Sequence, residues 1–248
     1  MPSADAIVNP KRKDSKYPFS EICGAIVAYK LIQVLFEEYG IDRQEWLDML
    51  ELAAIATVGD VMKLKDENRI VVKEGLKKLA NTKIQGLVSL MEKNTLDPEH
   101  ISAYHVGFVL GPCLNASGRL KTAQMAMELL LAENKAQADE LADALKALND
   151  ERKDMTKDGT DAAIEQVETE LKDDKVLVVF LPDCHESLAG IVAGRIREYY
   201  NKPVFVLTRA EGCAKGSGRS IEAYHMFHAL VEVKDLLLKF GGHPMAAG

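Results

Sequence analysis

The chain has 248 residues, a formal net charge of −7, 47% hydrophobic and 28% charged residues. That is enough apolar material for one large core or two small ones. It excludes a global basic field for nucleic acid, although a local groove can be basic on an acidic protein. Cys23, Cys113, Cys184 and Cys213 are scattered without Cys-x-x-Cys spacing, which excludes a disulfide frame or zinc ribbon and points to free thiols in a reducing compartment. No apolar run approaches the length of a membrane span, and no apolar segment follows Met1 to Asp5 as in a signal peptide. The expected location is cytoplasmic, with no membrane partner.

In chain order, residues 1–20 hold Pro2, Pro10 and Pro18 with the cluster Lys11-Arg12-Lys13, and read as an extended surface segment. Ile22, Ala25, Tyr29, Ile32 and Phe36 recur at helical spacing, and Gly40 ends that helix. A second helix is expected over about Arg43 to Thr57. Asp60, in Val58-Gly59-Asp60-Val61, is either an N-cap for the next segment or a metal ligand at the mouth of a site. Further helices are expected over Arg69 to Ala80, Ile84 to Met91 and Glu99 to Leu110, the last with a strand as the alternative around Tyr104 to Phe108.

Gly111-Pro112-Cys113-Leu114-Asn115-Ala116-Ser117-Gly118-Arg119-Leu120 breaks the pattern and reads as a loop. Arg119 is either a forked phosphate donor or the partner of a carboxylate. A helix over Thr122 to Ala132 follows. Residues 133–171 are polar and nearly free of Gly and Pro, with Leu141, Leu148, Met155 and Ala162 seven apart and Leu145 between. This narrow stripe describes a long, partly exposed connecting helix, which Gly159 could interrupt, with a free coiled coil as the alternative.

At Lys175 the period changes. Val176 to Leu181 is a continuous apolar run, expected to be a strand buried on both faces. Ser187 to Tyr200 reads as a helix and Val204 to Leu207 as a second strand, which makes a βαβ unit. Cys184-His185-Glu186 lies at the carboxyl end of the first strand, where α/β sheets place ligands. A short strand around Cys213 leads to the turn Gly216-Ser217-Gly218-Arg219-Ser220, and a last helix from His225 to Phe240 leads to Gly241-Gly242-His243. Ser217, Arg219, Ser220 and His243 with these glycines form a candidate phosphate pocket. His225 and His228 could mimic a metal pair but read as helix-surface residues. No Walker loop or Gly-x-Gly-x-x-Gly is present.

Five segments occur in a characteristic order: Thr57 to Met62, Gly111 to Leu120, Gly190-Ile191-Val192-Ala193-Gly194-Arg195, Ser217 to Ser220, and Gly241 to His243. With Asn9-Pro10-Lys11-Arg12 and Tyr17-Pro18-Phe19 ahead of them, they resemble the RecJ-type exonucleases of the DHH phosphoesterase superfamily. The resemblance covers nearly the whole chain. It implies an α/β fold: residues 1–132 as the C-terminal part of a DHH catalytic domain, 133–171 as a connector helix, and 172–248 as a DHH-associated substrate-binding domain.

It also implies a metal-dependent exonuclease that cleaves phosphodiesters from the 5′ end of single-stranded DNA with two Mn²⁺ or Mg²⁺ ions. Single-stranded DNA with a 5′ end is the implied partner, beside other DNA-repair proteins. Asp60 matches a metal ligand and catalytic residue. The implied substrate contacts are Asn115, Arg119, Ser217, Arg219, Ser220, Gly241, Gly242 and His243; His185 joins them as a candidate from its place after the first strand. Cys113 stands where the family often has arginine. The chain holds no Asp-x-Asp and no Asp-His-His, so these motifs are expected ahead of residue 1, an OB-fold after residue 248, and an inactive isolated chain. Phosphodiesterases of short oligonucleotides or cyclic dinucleotides share the glycine-histidine motif; a non-catalytic nucleic-acid-binding module is the other alternative.

Overall fold

The apolar spacing after residue 21 forms α1, Gly24–Glu38, which buries Ile26 and Tyr29. The computed structural model describes residues 3–120 and 122–248; Pro2 of the proline-rich opening lies outside them. These residues divide into two compact units, Met1–Asn149 and Asp150–Gly248.

In the first unit, the helix expected over Arg43 to Thr57 is two. α2, Arg43–Leu47, is capped by the Asp42 side chain, and α3, Leu50–Gly59, follows a break at Asp48 and Met49. Two features close α2. Trp46 packs edge-on against Tyr29 at 5.4 Å, and Asp48 receives bonds from Gln44 and Lys78. α4, Asp66–Leu79, carries acids in its first turn and lysines in its last, as the helix dipole favours. α5, Gln85–Lys93, buries Leu87, Leu90 and Met91 in the unit's largest core with Leu110 and Leu129.

The segment expected to be a loop is helical. α6, Ala103–His105, runs through a π-helical stretch, Val106–Leu110, into α7, Gly111–Leu120. The Gly111 N–H reaches Val106 O, five residues back. This widened turn accommodates Pro112, which has no N–H to donate, and the helix continues. α8 is Gln124–Leu130.

α9, Lys135–Gln166, is unbroken at Gly159 and continues as a π-helical stretch, Val167–Leu171. Its buried positions are mostly small. Ala138, Ala142 and Leu145 are buried early, and Thr156, Ala163 and Val167 later. The expected stripe through Met155 and Ala162 is therefore displaced by one residue. Leu145 and Leu148 are buried as expected.

In the second unit, β1, Leu177–Phe180, alternates buried and exposed. Val178 and Phe180 are 49% and 45% exposed, so the apolar run is a strand covered on one face, not two. It pairs in parallel with β2, Val204–Ala210, through the crossover helix α10, Ala189–Tyr200. β3, Cys213–Arg219, pairs antiparallel with β2. β4, Gly242–His243, and β5, Ala246–Ala247, complete the sheet order β1-β2-β3-β5-β4. The last helix, α11, is Met226–Glu232, followed by a 3₁₀ turn Lys234–Leu236. The helix expected to reach Phe240 stops early. Leu236 and Leu238 are 84% and 90% exposed, so no apolar face past Glu232 is buried to sustain it. The whole is an α/β protein, largely helical, with one small mixed sheet.

Candidate nucleic-acid interface

Ser217 and Arg219 lie within β3, not in a turn. Side chains alternate along a strand, so these two share a face. Their partners Val206 and Val204 are fully buried in the core formed with Val192, Ala193 and Ile196 of α10. Ser217 and Arg219 thus project toward the α10 side of the sheet. There they meet the first turn of α10. A Cβ placed on Gly190 would lie 2.6 Å from Arg219 Nη2 and 3.1 Å from Ser217 Oγ. The absence of a side chain at Gly190 leaves room for both. Arg219 Nη1 also donates to Gly218 O at 2.8 Å.

The opposite face explains the remaining glycines. Gly218 and Gly242 both register with Ala247. A Cβ on Gly218 would meet Met226 Sδ at 2.5 Å, and one on Gly242 would meet Ala246 O at 2.5 Å. These positions need small residues for packing. Gly241 pairs its backbone with Gly248 in both directions. Arg219 and His243 register with Ala246 from either side, which puts both on the α10 face of the sheet. His243 is exposed, and its Nδ1 accepts the Met245 N–H.

Ser220 behaves differently. It is fully buried, and its hydroxyl donates to Tyr224 O at 2.6 Å. It holds the turn that starts α11. His185 is exposed and caps the 3₁₀ turn Glu186–Leu188, accepting from Ser187 N. Next to it, Lys215 pairs with Glu186 at 2.7 Å and holds that carboxyl below its usual range. Burial pushes the Cys184 thiol up, so it is a poor nucleophile.

Three sites fall in the first unit. Asp60 is exposed and is the C-cap of α3, not an N-cap. Beyond it, Val61 N donates to Val58 O and Met62 N to Thr57 O. This is a Schellman closure with a valine, φ 53°, where glycine is usual. A β-branched residue in the left-handed region is strained, and it fixes the chain direction at Asp60. Asn115 and Arg119 are exposed on α7. Cys113 is fully buried, and its sulfur accepts from Asn149 Nδ2 at 3.4 Å. It is a packing residue. In the second unit, His225 and His228 stack at 3.6 Å, with His225 Nδ1 accepting the His228 N–H.

Among the described residues, no three His, Cys, Asp or Glu side chains converge on a point that could hold a metal ion. Asp60 alone does not fit a two-ion centre. Among them, too, no helix is long and apolar enough to cross a membrane. Sequence reasoning missed Gly190 as part of the site. Its signal was present, since Gly190 opens the motif Gly190-Ile191-Val192-Ala193-Gly194-Arg195, but periodicity assigns the segment to plain helix packing.

The second unit is a parallel crossover α/β module in which the first turn of α10 faces an arginine and a serine on β3. Residues 173–248 match the DHHA1 domain family. Similarity to RecJ extends over the whole chain. It is 40% identical over 250 residues to the single-stranded-DNA-specific exonuclease RecJ of Bacillus subtilis (strain 168), covering 100% of this chain and 31% of that protein. It is 36% identical over 267 residues to RecJ of Escherichia coli (strain K12), covering 100% and 46%. The crystal structure of RecJ from Thermus thermophilus in complex with Mg²⁺ superposes with a TM-score of 0.83 at 34% identity, over 94% of this chain and 36% of that one. A Mn²⁺ complex of the same protein superposes equally well. The chain is RecJ-like along its entire length, as the five motifs implied, and spans less than half the length of these curated relatives.

Proposed function

We propose that this chain is part of a 5′-to-3′ single-stranded-DNA exonuclease, in which it grips the strand while most metal ligands come from polypeptide outside these 248 residues. The observation that carries the reading is the meeting of Ser217 and Arg219 over Gly190 at the start of α10. A guanidinium, a hydroxyl and a helix N-terminus aimed at one point suit a phosphate. Residues 172–248 then bind substrate, 133–171 form the connector and 1–132 are the catalytic-domain remainder. His243 and His185 border the phosphate position, Gly241 and Gly242 let the terminal hairpin close, and Ser220 keeps β3 in place. Asn115 and Arg119 are substrate contacts of the first unit. Asp60 is one ligand of the Mn²⁺ or Mg²⁺ centre.

The relatives' names and bound ions support this reading. The isolated chain is then a binding module: it binds single strands in a salt-sensitive manner and does not hydrolyse them. Incubation of the purified chain with a 5′-phosphorylated strand and Mn²⁺ tests this. Intact strand is expected, with hydrolysis by the full-length parent. Digestion by the 248-residue chain overturns the division of labour.

A further inference from the structure

The helical run from Ala103 to Leu120 carries a feature that the phosphate contacts leave unused. Tyr104 and Phe108, one turn apart, are 65% and 69% exposed. Their rings stack on one another at 4.9 Å with 29° between planes. His105 meets Tyr104 edge-on at 5.8 Å, and its Nδ1 is bonded to Ser102. The aromatic pair is therefore ordered, yet turned to solvent. Exposed residues continue along the same run at Asn115 and Arg119, with half-buried Pro112 between. Pro112, Asn115 and Arg119 follow one another at intervals of three and four on one face of α7, and Tyr104 and Phe108 precede them on the same continuous helical run, across its π-helical stretch.

One end of this face lies beside the strained closure at Asp60. Gly107 packs on Val58 of α3, 3.5 Å from where its Cβ would be, and Val58 is two residues ahead of Asp60. Pro112 and Arg119, both on α7, are separated by roughly 10 Å along the axis at about 1.5 Å per residue. An aromatic surface followed along one helical run by an amide and a guanidinium offers a π-face to a base and charged donors to the backbone beyond. Apolar protein faces do not have this make-up, because the exposed side chains that follow are polar.

We infer that Tyr104 and Phe108 form a base-stacking platform for single-stranded nucleic acid, engaging a nucleobase on the strand whose backbone Arg119 contacts. The inference rests on the strand-binding reading above. Stacking on an aromatic ring is insensitive to sequence, because every base has a π-face, so the platform adds affinity without specificity.

The test compares binding of the chain to a 5′-phosphorylated oligothymidylate and to a strand of equal length made of abasic residues. The wild type is expected to prefer the base-bearing strand by about 5- to 100-fold. Tyr104→Ala with Phe108→Ala removes that preference and leaves the abasic affinity unchanged, while Phe108→Trp keeps it. Both side chains are exposed, and circular dichroism confirms that the variant is folded. A double variant that keeps the wild-type ratio overturns the platform and leaves the strand-binding reading intact. A wild-type chain that binds neither strand overturns both. If the face instead covers polypeptide, the double variant changes the association state in sedimentation and not the ratio, which also overturns the platform.

Discussion

Gly190 and Arg219 occupy adjoining space: a Cβ on the first would lie 2.6 Å from Nη2 of the second. The contact joins the first turn of α10 to β3 and sets where the guanidinium can go. Gly190→Ala is expected to leave the fold intact, because alanine favours the helix by about 1 kcal/mol and the arginine end can swing aside. Arg219 is then displaced from the phosphate position. Affinity for a 5′-phosphorylated single strand should fall about tenfold, the loss of roughly one charge-assisted hydrogen bond. Fluorescence anisotropy checks it; unchanged affinity would mean that Arg219 does not need this space.

Val61 supplies a second prediction. Its φ of 53° closes α3 in a conformation that suits glycine. Val61→Gly should stabilise the protein by about 1 kcal/mol, seen as a raised urea midpoint. The strain lies beside Asp60, the carboxylate proposed above as a metal ligand. Metal-dependent activity of the full-length parent should fall with the same change, since the Asp60 backbone gains freedom. A variant that gains no stability would show that the valine carries no strain.

Glu51 gives the pH prediction. It is 4% exposed, and Oε2 has no hydrogen-bond partner among the described residues, while Oε1 accepts from Thr82. Burial raises its carboxyl above the ordinary range, opposed by the Thr82 bond. The native state therefore holds this proton more tightly than the unfolded chain. The contribution is fully present below the unfolded value of about 4.3 and is lost as pH rises through the higher folded value. Glu51→Gln removes the charge and keeps the Thr82 bond. Its melting temperature relative to wild type should be highest near neutral pH and decline on acidification toward about pH 4. A difference independent of pH would contradict this.

Much of the fold is legible in periodicity. The change of period at Lys175 marks the crossover unit, and the lack of Gly and Pro marks the long polar helix. Other readings fail for definable physical reasons. Gly111 to Leu120 resembles a loop because Pro and Gly usually end helices, and a π-helical turn absorbs the proline here. Ser217 to Arg219 resembles a turn because of its small residues. Gly218 is small because Met226 and the Phe205 ring press on it, a tertiary fact with no local signal. Val178 and Phe180 read as buried because an apolar run carries no mark of which face is covered.

The site is legible by motif more than by geometry. Arg219, Ser217 and His243 share a sheet face, although the sequence suggests separate turns. Ser220, adjacent to Arg219, has its hydroxyl committed to Tyr224. The alternation of the strand separates the two, and a motif read as a block does not show that. Gly190 is visible as a residue but not as a neighbour of β3, since nothing local links α10 to a strand that comes later in the chain.

The central claim is that Arg219 grips the phosphate at a 5′ end. The direct measurement is binding of the wild type and Arg219→Ala to two strands identical except for a 5′-phosphate or a 5′-hydroxyl. The expected loss is about 10- to 100-fold for the phosphorylated strand, the range of a hydrogen bond to a charged group, and much smaller for the hydroxyl strand. Equal losses on both strands would contradict it.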